Sequence, residues 1–176
     1  MKFAKLALLA AGAALFAAPV FAQQATPPAN PLDVVPDQMP FNTPYGAPIN
    51  LARAQQLISA VVAETKKRGW AMNIAVIDSG GNLVAFERMD GAQLASIAIS
   101  QHKARSALLF RRESKIFEDA IQHGVTYVET LDGMIGSRGG FPLIENGKII
   151  GAIGCSGGTG SQDATVCGIV PGMLNK

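Results

Sequence analysis

From Asn50 onward the apolar positions change period from block to block. Leu51, Ala54, Leu57, Ile58, Val61 and Val62 recur at three- and four-residue spacing, the stripe of a half-buried helix, with Asn50 as its cap and Gly69 at its end. Two β-rich runs follow, "WAMNIAVID" at 70–78 and "NLVAFERM" at 82–89, joined by Ser79-Gly80-Gly81 as a hairpin. From Asp90 the helical spacing returns through Leu94, Ile97, Ala98, Ala104 and Leu108. A further helix is predicted with Ser114 as cap, Ile116, Phe117, Ala120 and Ile121 on one face, and Gly124 at its end. Residues 125–131 read as one short strand. A glycine-rich loop, "DGMIGSRGG", leads into "FPLIE", "NGK" and "IIGAIGC", a second hairpin with an Asn-Gly turn, and a last helix begins near Gln162. The order α-β-β-α-α-β-β-β-α predicts an α/β domain with a central, mostly antiparallel sheet of about five strands flanked by helices. Parallel doubly wound folds alternate strand and helix, which this chain does not do.

The first 48 residues follow neither period. Lys2 and Lys5, the apolar run 6–18 and the small-residue end Val20-Phe21-Ala22 read as a signal peptide, 1–22, too short to span a bilayer. Its removal predicts a periplasmic or extracellular protein with no membrane span. Residues 23–48 hold seven of the ten prolines, predicting an extended arm, either a disordered tether or a strap along a neighbouring subunit. The folded domain is assigned to 49–176. Without the leader, 13 basic residues face 13 acidic ones, so the basic surplus that nucleic-acid binding requires is missing.

The most motif-like stretch is "GAIGCSGGTGSQDA", residues 151–164. It has no lysine for a Walker loop, and its glycines miss the dinucleotide-binding spacing. Gly154-Cys155-Ser156-Gly157-Gly158 matches a nucleophile elbow in letters, but no histidine follows Ser156 to complete a triad. What survives is a strand-to-helix turn. Its glycines permit positive φ, and the amides of Ser156, Gly157, Gly158 and Thr159 could hold a carboxylate or phosphate at a helix N-terminus; tight packing alone is the alternative. Arg88, ending the second strand, could clamp an anionic ligand or pair with Asp78 or Asp90, and Arg138 lies on the glycine-rich loop as a second contact. Only His102 and His123 remain after the leader, which excludes multi-histidine metal sites by count. His123 precedes Gly124 at a helix end, where an imidazole answers the dipole.

The blocks "IAVIDSGGNLVAFERMDGA", "SIAIS...KARSALLFRR", "KIFEDAI" and "GGFPLIENGKIIGAIGCSGGTGSQD" resemble, in order, the GlcG/HbpS-like heme-binding (haem-degrading) family, which includes the C-terminal domain of the adenosyltransferase PduO. The resemblance covers about residues 50–174. It implies an α/β sandwich with an antiparallel sheet, homo-oligomers, and heme as a cofactor in some members, with heme degradation or redox sensing reported for the family. Under that resemblance His102 becomes the candidate iron ligand, with Lys103 and Arg105 beside it to meet propionates, against a solvated surface residue. The resemblance implies no universal histidine ligand, which leaves a hydroxyl or a sulfur as an alternative. Cys155 and Cys167 stand where the family pattern has apolar or small residues, and Pro171 interrupts the last helix. In an oxidising compartment the two cysteines form either a disulfide or two buried thiols. Two functions follow: a secreted heme-binding protein, or a non-catalytic periplasmic accessory module for a small organic acid or alcohol-oxidation system, resting on the amide turn and Arg88.

Overall fold

A computed structural model describes residues 35–174, so the leader and residues 23–34 of the arm lie outside the described residues. Helix α1, Leu51–Arg68, begins where the Asn50 side chain accepts the Arg53 amide at 2.9 Å and ends at Gly69, whose φ of 67° only glycine adopts cheaply. Strands β1, Asn73–Asp78, and β2, Leu83–Arg88, form the first hairpin. The Asp78 carboxylate closes its turn by accepting the amides of Gly80 and Asn82. Helices α2, Ala95–Leu109, and α3, Lys115–Gln122, follow, then a 3-10 helix, Thr126–Thr130. Strands β3, Gly140–Glu145, and β4, Lys148–Ser156, meet at Asn146 and Gly147, both with positive φ as a two-residue hairpin turn requires. The chain closes with α4, Gly160–Cys167, and α5, Pro171–Leu174.

The sheet is antiparallel in the order β2-β1-β4-β3, four strands rather than about five. The fifth expected strand, 125–131, is the 3-10 helix. Its apolar residues Val125, Val128 and Leu131 repeat every three positions, and Thr130 and Leu131 bond back to the carbonyls of Tyr127 and Val128.

Ile74, Val76, Leu143, Ile153 and Cys155 point to one face of the sheet, where α1, α4 and α5 cover them. Ile77 and Ala152 point to the other, under Ala104, Ala107 and Leu108 of α2. Helix α2 sits unusually low on that face. A Cβ at Gly154 would fall onto the Ser100 carbonyl oxygen, and one at Gly140 onto the Lys103 carbonyl oxygen. The closest approach is made over glycines, and the buried face of the helix is Ser96, Ser100, Lys103, Ala104, Ser106, Ala107 and Leu108. Of the expected apolar face, Ala104 and Leu108 are buried and Ile97 is half-buried, but Leu94 is 69% exposed and Ala98 is exposed, so the expectation fails in the first two turns.

One local expectation also changes. Ser114 is itself helical and caps nothing; its hydroxyl donates to the Ser137 carbonyl at 2.7 Å and accepts the Gly140 amide at 2.9 Å, tying α3 to the start of β3. The last helix begins at Gly160, capped by Thr159 and Gln162 in a reciprocal capping box, two residues before Gln162.

Residues 38–48, assigned to the arm, fold with the domain. The amide of Ile149 bonds Pro44 O and that of Gly46 bonds Ile149 O, each at 2.8 Å, while the Tyr45 hydroxyl donates to Leu108 O at 3.0 Å. The guanidinium of Arg112 stacks on Phe41 at 3.6 Å and that of Arg111 on Tyr45 at 4.6 Å. Cys155, in β4, and Cys167, ending α4, are joined by a disulfide with Cα atoms 5.8 Å apart.

Candidate functional site

Because α2 is pressed onto the sheet along one side, its opposite side forms the wall of an open cleft of about 700 Å³. Gln101, His102 and Arg105 project from this wall. Ile77, Gly81 and Leu83, from the end of β1 and the first hairpin turn, form a second wall, with Gly81 turned at φ 85° beside the Arg105 guanidinium. The third wall is the end of the 3-10 helix and the loop after it, from Glu129 to Met134. The Ile135 amide donates to Ser106 Oγ at 3.3 Å, fastening that loop to α2 one helical turn beyond His102. Gly133, at φ 79°, lets the loop pass close to Leu109, where a Cβ would stand 2.7 Å from a methyl group.

The cleft is divided in charge. Arg105 and the His102 imidazole stand on the helix side, and the Glu129 and Asp132 carboxylates on the loop side. Among the described residues Arg105, Glu129 and Asp132 form no ion pair, so their charges face the cleft and solvent. Ile77, Leu83, Leu131 and Met134 supply apolar surface between them.

Of the candidate residues, His102 and Arg105 are brought together here and the others are not. Lys103, one position on from His102, is turned by about 100° to the sheet side and is 1% exposed. Its ammonium lies 2.7 Å from Asp163 Oδ2, so it cannot meet a ligand in the cleft. Burial pushes the Asp163 carboxyl up, against the pull of the Lys103 ammonium and the Gly158 amide. Arg138 is held by Glu118: its amide and Nε donate at 2.7 and 2.8 Å, and Asp119 stands 3.7 Å from its outer nitrogen. Burial raises the Glu118 carboxyl, but the Arg138 guanidinium and amide outweigh it and hold the group below its ordinary range. Arg88 is exposed opposite Asn73 and pairs with neither Asp78 nor Asp90 among the described residues.

The glycine turn is occupied by its own helix. The Gly158 amide donates to Asp163 Oδ1 at 3.0 Å and the Thr159 amide to Gln162 Oε1 at 2.8 Å, while the buried Ser156 hydroxyl donates to Ser96 Oγ. Neither Gly157 nor Gly158 has positive φ; a Cβ at Gly157 would strike the Ala71 carbonyl oxygen. The turn is built for close approach, and the Gly158 and Thr159 amides of the nest on which the organic-acid reading rested are taken by side chains of the following helix. The His123 imidazole donates Nδ1–H to the Asp119 carbonyl at 2.6 Å, closing the end of α3.

Sequence reasoning missed the loop wall, Glu129, Asp132 and Met134. The only signal there was the glycine-rich composition around Met134.

Comparison with known proteins places this geometry in a wider group. Protein GlcG of Escherichia coli strain K12 is 42% identical over 107 residues, covering 58% of this chain and 80% of GlcG. The crystal structure of ORFY from Klebsiella pneumoniae superposes with a TM-score of 0.69 at 30% identity, over 80% of this chain and 97% of ORFY. PduOC, solved as a heme complex, shares the fold with a TM-score of 0.66 at 22% identity, over 73% of this chain and 96% of PduOC. A family model described as haem degrading protein HbpS-like matches residues 49–169, and the chain belongs to that HbpS-like family.

Proposed function

We propose that this chain binds heme in the cleft between α2, the first hairpin and the 129–134 loop, with the His102 imidazole toward iron and Arg105 toward a propionate. The observation that carries the reading is the joint exposure of His102 and Arg105, three residues apart on one helix face, onto a cleft of about 700 Å³ to which Ile77, Leu83, Leu131 and Met134 add apolar surface. The donor set fits the group: a neutral nitrogen ligand, a guanidinium matched to a carboxylate, and aliphatic surface for the ring. PduOC, a structural relative solved with heme, supports the same ligand. Bound heme supplies one-electron and O₂ chemistry, while the chain supplies orientation and partial exclusion of water.

We further propose that residues 1–22 direct the protein out of the cytoplasm, a reading the disulfide supports because such bonds persist in oxidising compartments. The mass of protein recovered from the periplasm of a bacterial host tests it: cleavage after Ala22 is expected, and a full-length cytoplasmic product refutes export.

The heme assignment is tested by titrating hemin into the full mature chain. A saturable Soret band at a fixed ratio to protein is expected, and His102→Ala should shift its maximum and weaken binding at least about tenfold, or about 1.4 kcal/mol. A non-saturating absorbance change refutes heme binding, and an unchanged His102→Ala spectrum removes His102 from the iron.

A further inference from the structure

The loop wall of the cleft carries a second soft donor. Of the described methionines, Met72 is fully buried in the main core, Met89 and Met173 pack against that core, and Met39 is 80% exposed outside it. Met134 belongs to neither core cluster; it is half-buried and lines the cleft that His102 lines. Its backbone is set by local bonds: the Met134 amide donates to Leu131 O at 3.2 Å, Gly133 makes the turn before it, and Ile135 after it is bonded to Ser106 of α2. A thioether on three rotatable bonds thus starts from a fixed point on the wall facing α2, with freedom to reach inward.

We propose that Met134 supplies a second axial ligand to the iron of heme held by His102, making this a histidine–methionine site; the inference rests on the heme reading given above. The other cleft residues with ligating atoms are less suited. Glu129 and Asp132 are hard anionic donors that favour the ferric state, and the Gln101 amide and Thr130 hydroxyl are weak ligands. A neutral imidazole with a neutral thioether favours ferrous iron and raises the reduction potential.

The experiment uses the full mature chain loaded with hemin, read by absorption and magnetic circular dichroism and by potentiometry. The unsubstituted protein should be six-coordinate and low-spin, with a weak sulfur-to-iron charge-transfer band at the red end of the visible spectrum. Met134→Leu, close in volume and shape, should keep saturable binding and the melting temperature, lose that band and lower the potential. M134H should convert the spectrum to that of a bis-imidazole site. Met39→Leu, outside the cleft, should leave the band in place. Saturable hemin uptake with a high-spin spectrum, or with a band that survives Met134→Leu, overturns the ligand assignment alone; absence of saturable uptake overturns the heme reading with it.

Discussion

Opening the Cys155–Cys167 disulfide should cost stability by an amount set by the chain it closes. The two residues are 12 apart in sequence. Restricting a loop of that length in the unfolded chain removes about 9.5 cal/mol/K of entropy, or about 2.8 kcal/mol at 25 °C. A folded unit of about 140 residues has an unfolding entropy near 0.3 kcal/mol/K, so the loss converts to a fall in melting temperature of about 10 °C. Both cysteines are fully buried, so reduction should be slow in the native protein and quick once it unfolds. The assay is calorimetry on two samples refolded from denaturant, one air-oxidised and one held in excess dithiol, with alkylation and mass spectrometry under denaturing, non-reducing conditions. The oxidised sample should take up no alkylating agent and have a mass two units below that of the dithiol form. Two alkylatable thiols in the oxidised sample would refute the bond; a protected pair whose melting temperature moves by less than about 2 °C on reduction would refute the loop-closure argument.

The Lys103–Asp163 pair, with side chains 1% and 3% exposed, should show the asymmetry of a buried ion pair. Lys103→Met strands a carboxylate and should destabilise by about 3–5 kcal/mol, whereas the Lys103→Met, Asp163→Leu double variant should recover most of that in urea unfolding; equal losses would contradict the assignment. Glu118, held below its ordinary range by Arg138, contributes stability that is present above the unfolded glutamate pKa and is lost as pH falls through its lower folded value. Glu118→Gln should therefore flatten the acid limb of the melting-temperature profile, and a parallel limb would show that the pair does not respond to pH.

Where side-chain period and backbone chemistry agreed, the chain was legible. Asn50, Gly69 and the apolar stripe between them define α1, and Asn146-Gly147 defines the second hairpin. The reading failed where tertiary contact chose the face. Helix α2 carries serines and a lysine inward because Gly140 and Gly154 let it settle onto the sheet, and a periodicity count takes serine for solvent. The step of about 100° between neighbours on a helix separated two adjacent candidates, leaving His102 on the cleft and sending Lys103 to Asp163. Arg105, on the face of His102, could be chosen from sequence; Met134 could not, since only folding returns that loop to α2. At the glycine turn, sequence counts the amides but does not show that Gln162 accepts that of Thr159 and Asp163 that of Gly158.

The low seat of α2 also makes the cleft resemble a vice with one jaw bolted down. A methyl group added beneath the helix at Gly140 or Gly154 has a peptide carbonyl in its place, so the jaw bearing His102 and Arg105 cannot be lowered or packed out in small steps. The opposing jaw, 129–134, is tied to α2 just past its end by the bond of Ile135 to Ser106, and its Glu129, Leu131 and Asp132 are exposed. Substitution there can change the bore while the anchor points for the ligand stay fixed. Divergence in ligand size or in the group presented to it should therefore accumulate on the loop, and attempts to redesign the cleft for a larger or smaller guest should begin at Glu129, Asp132 and Met134 rather than on the helix.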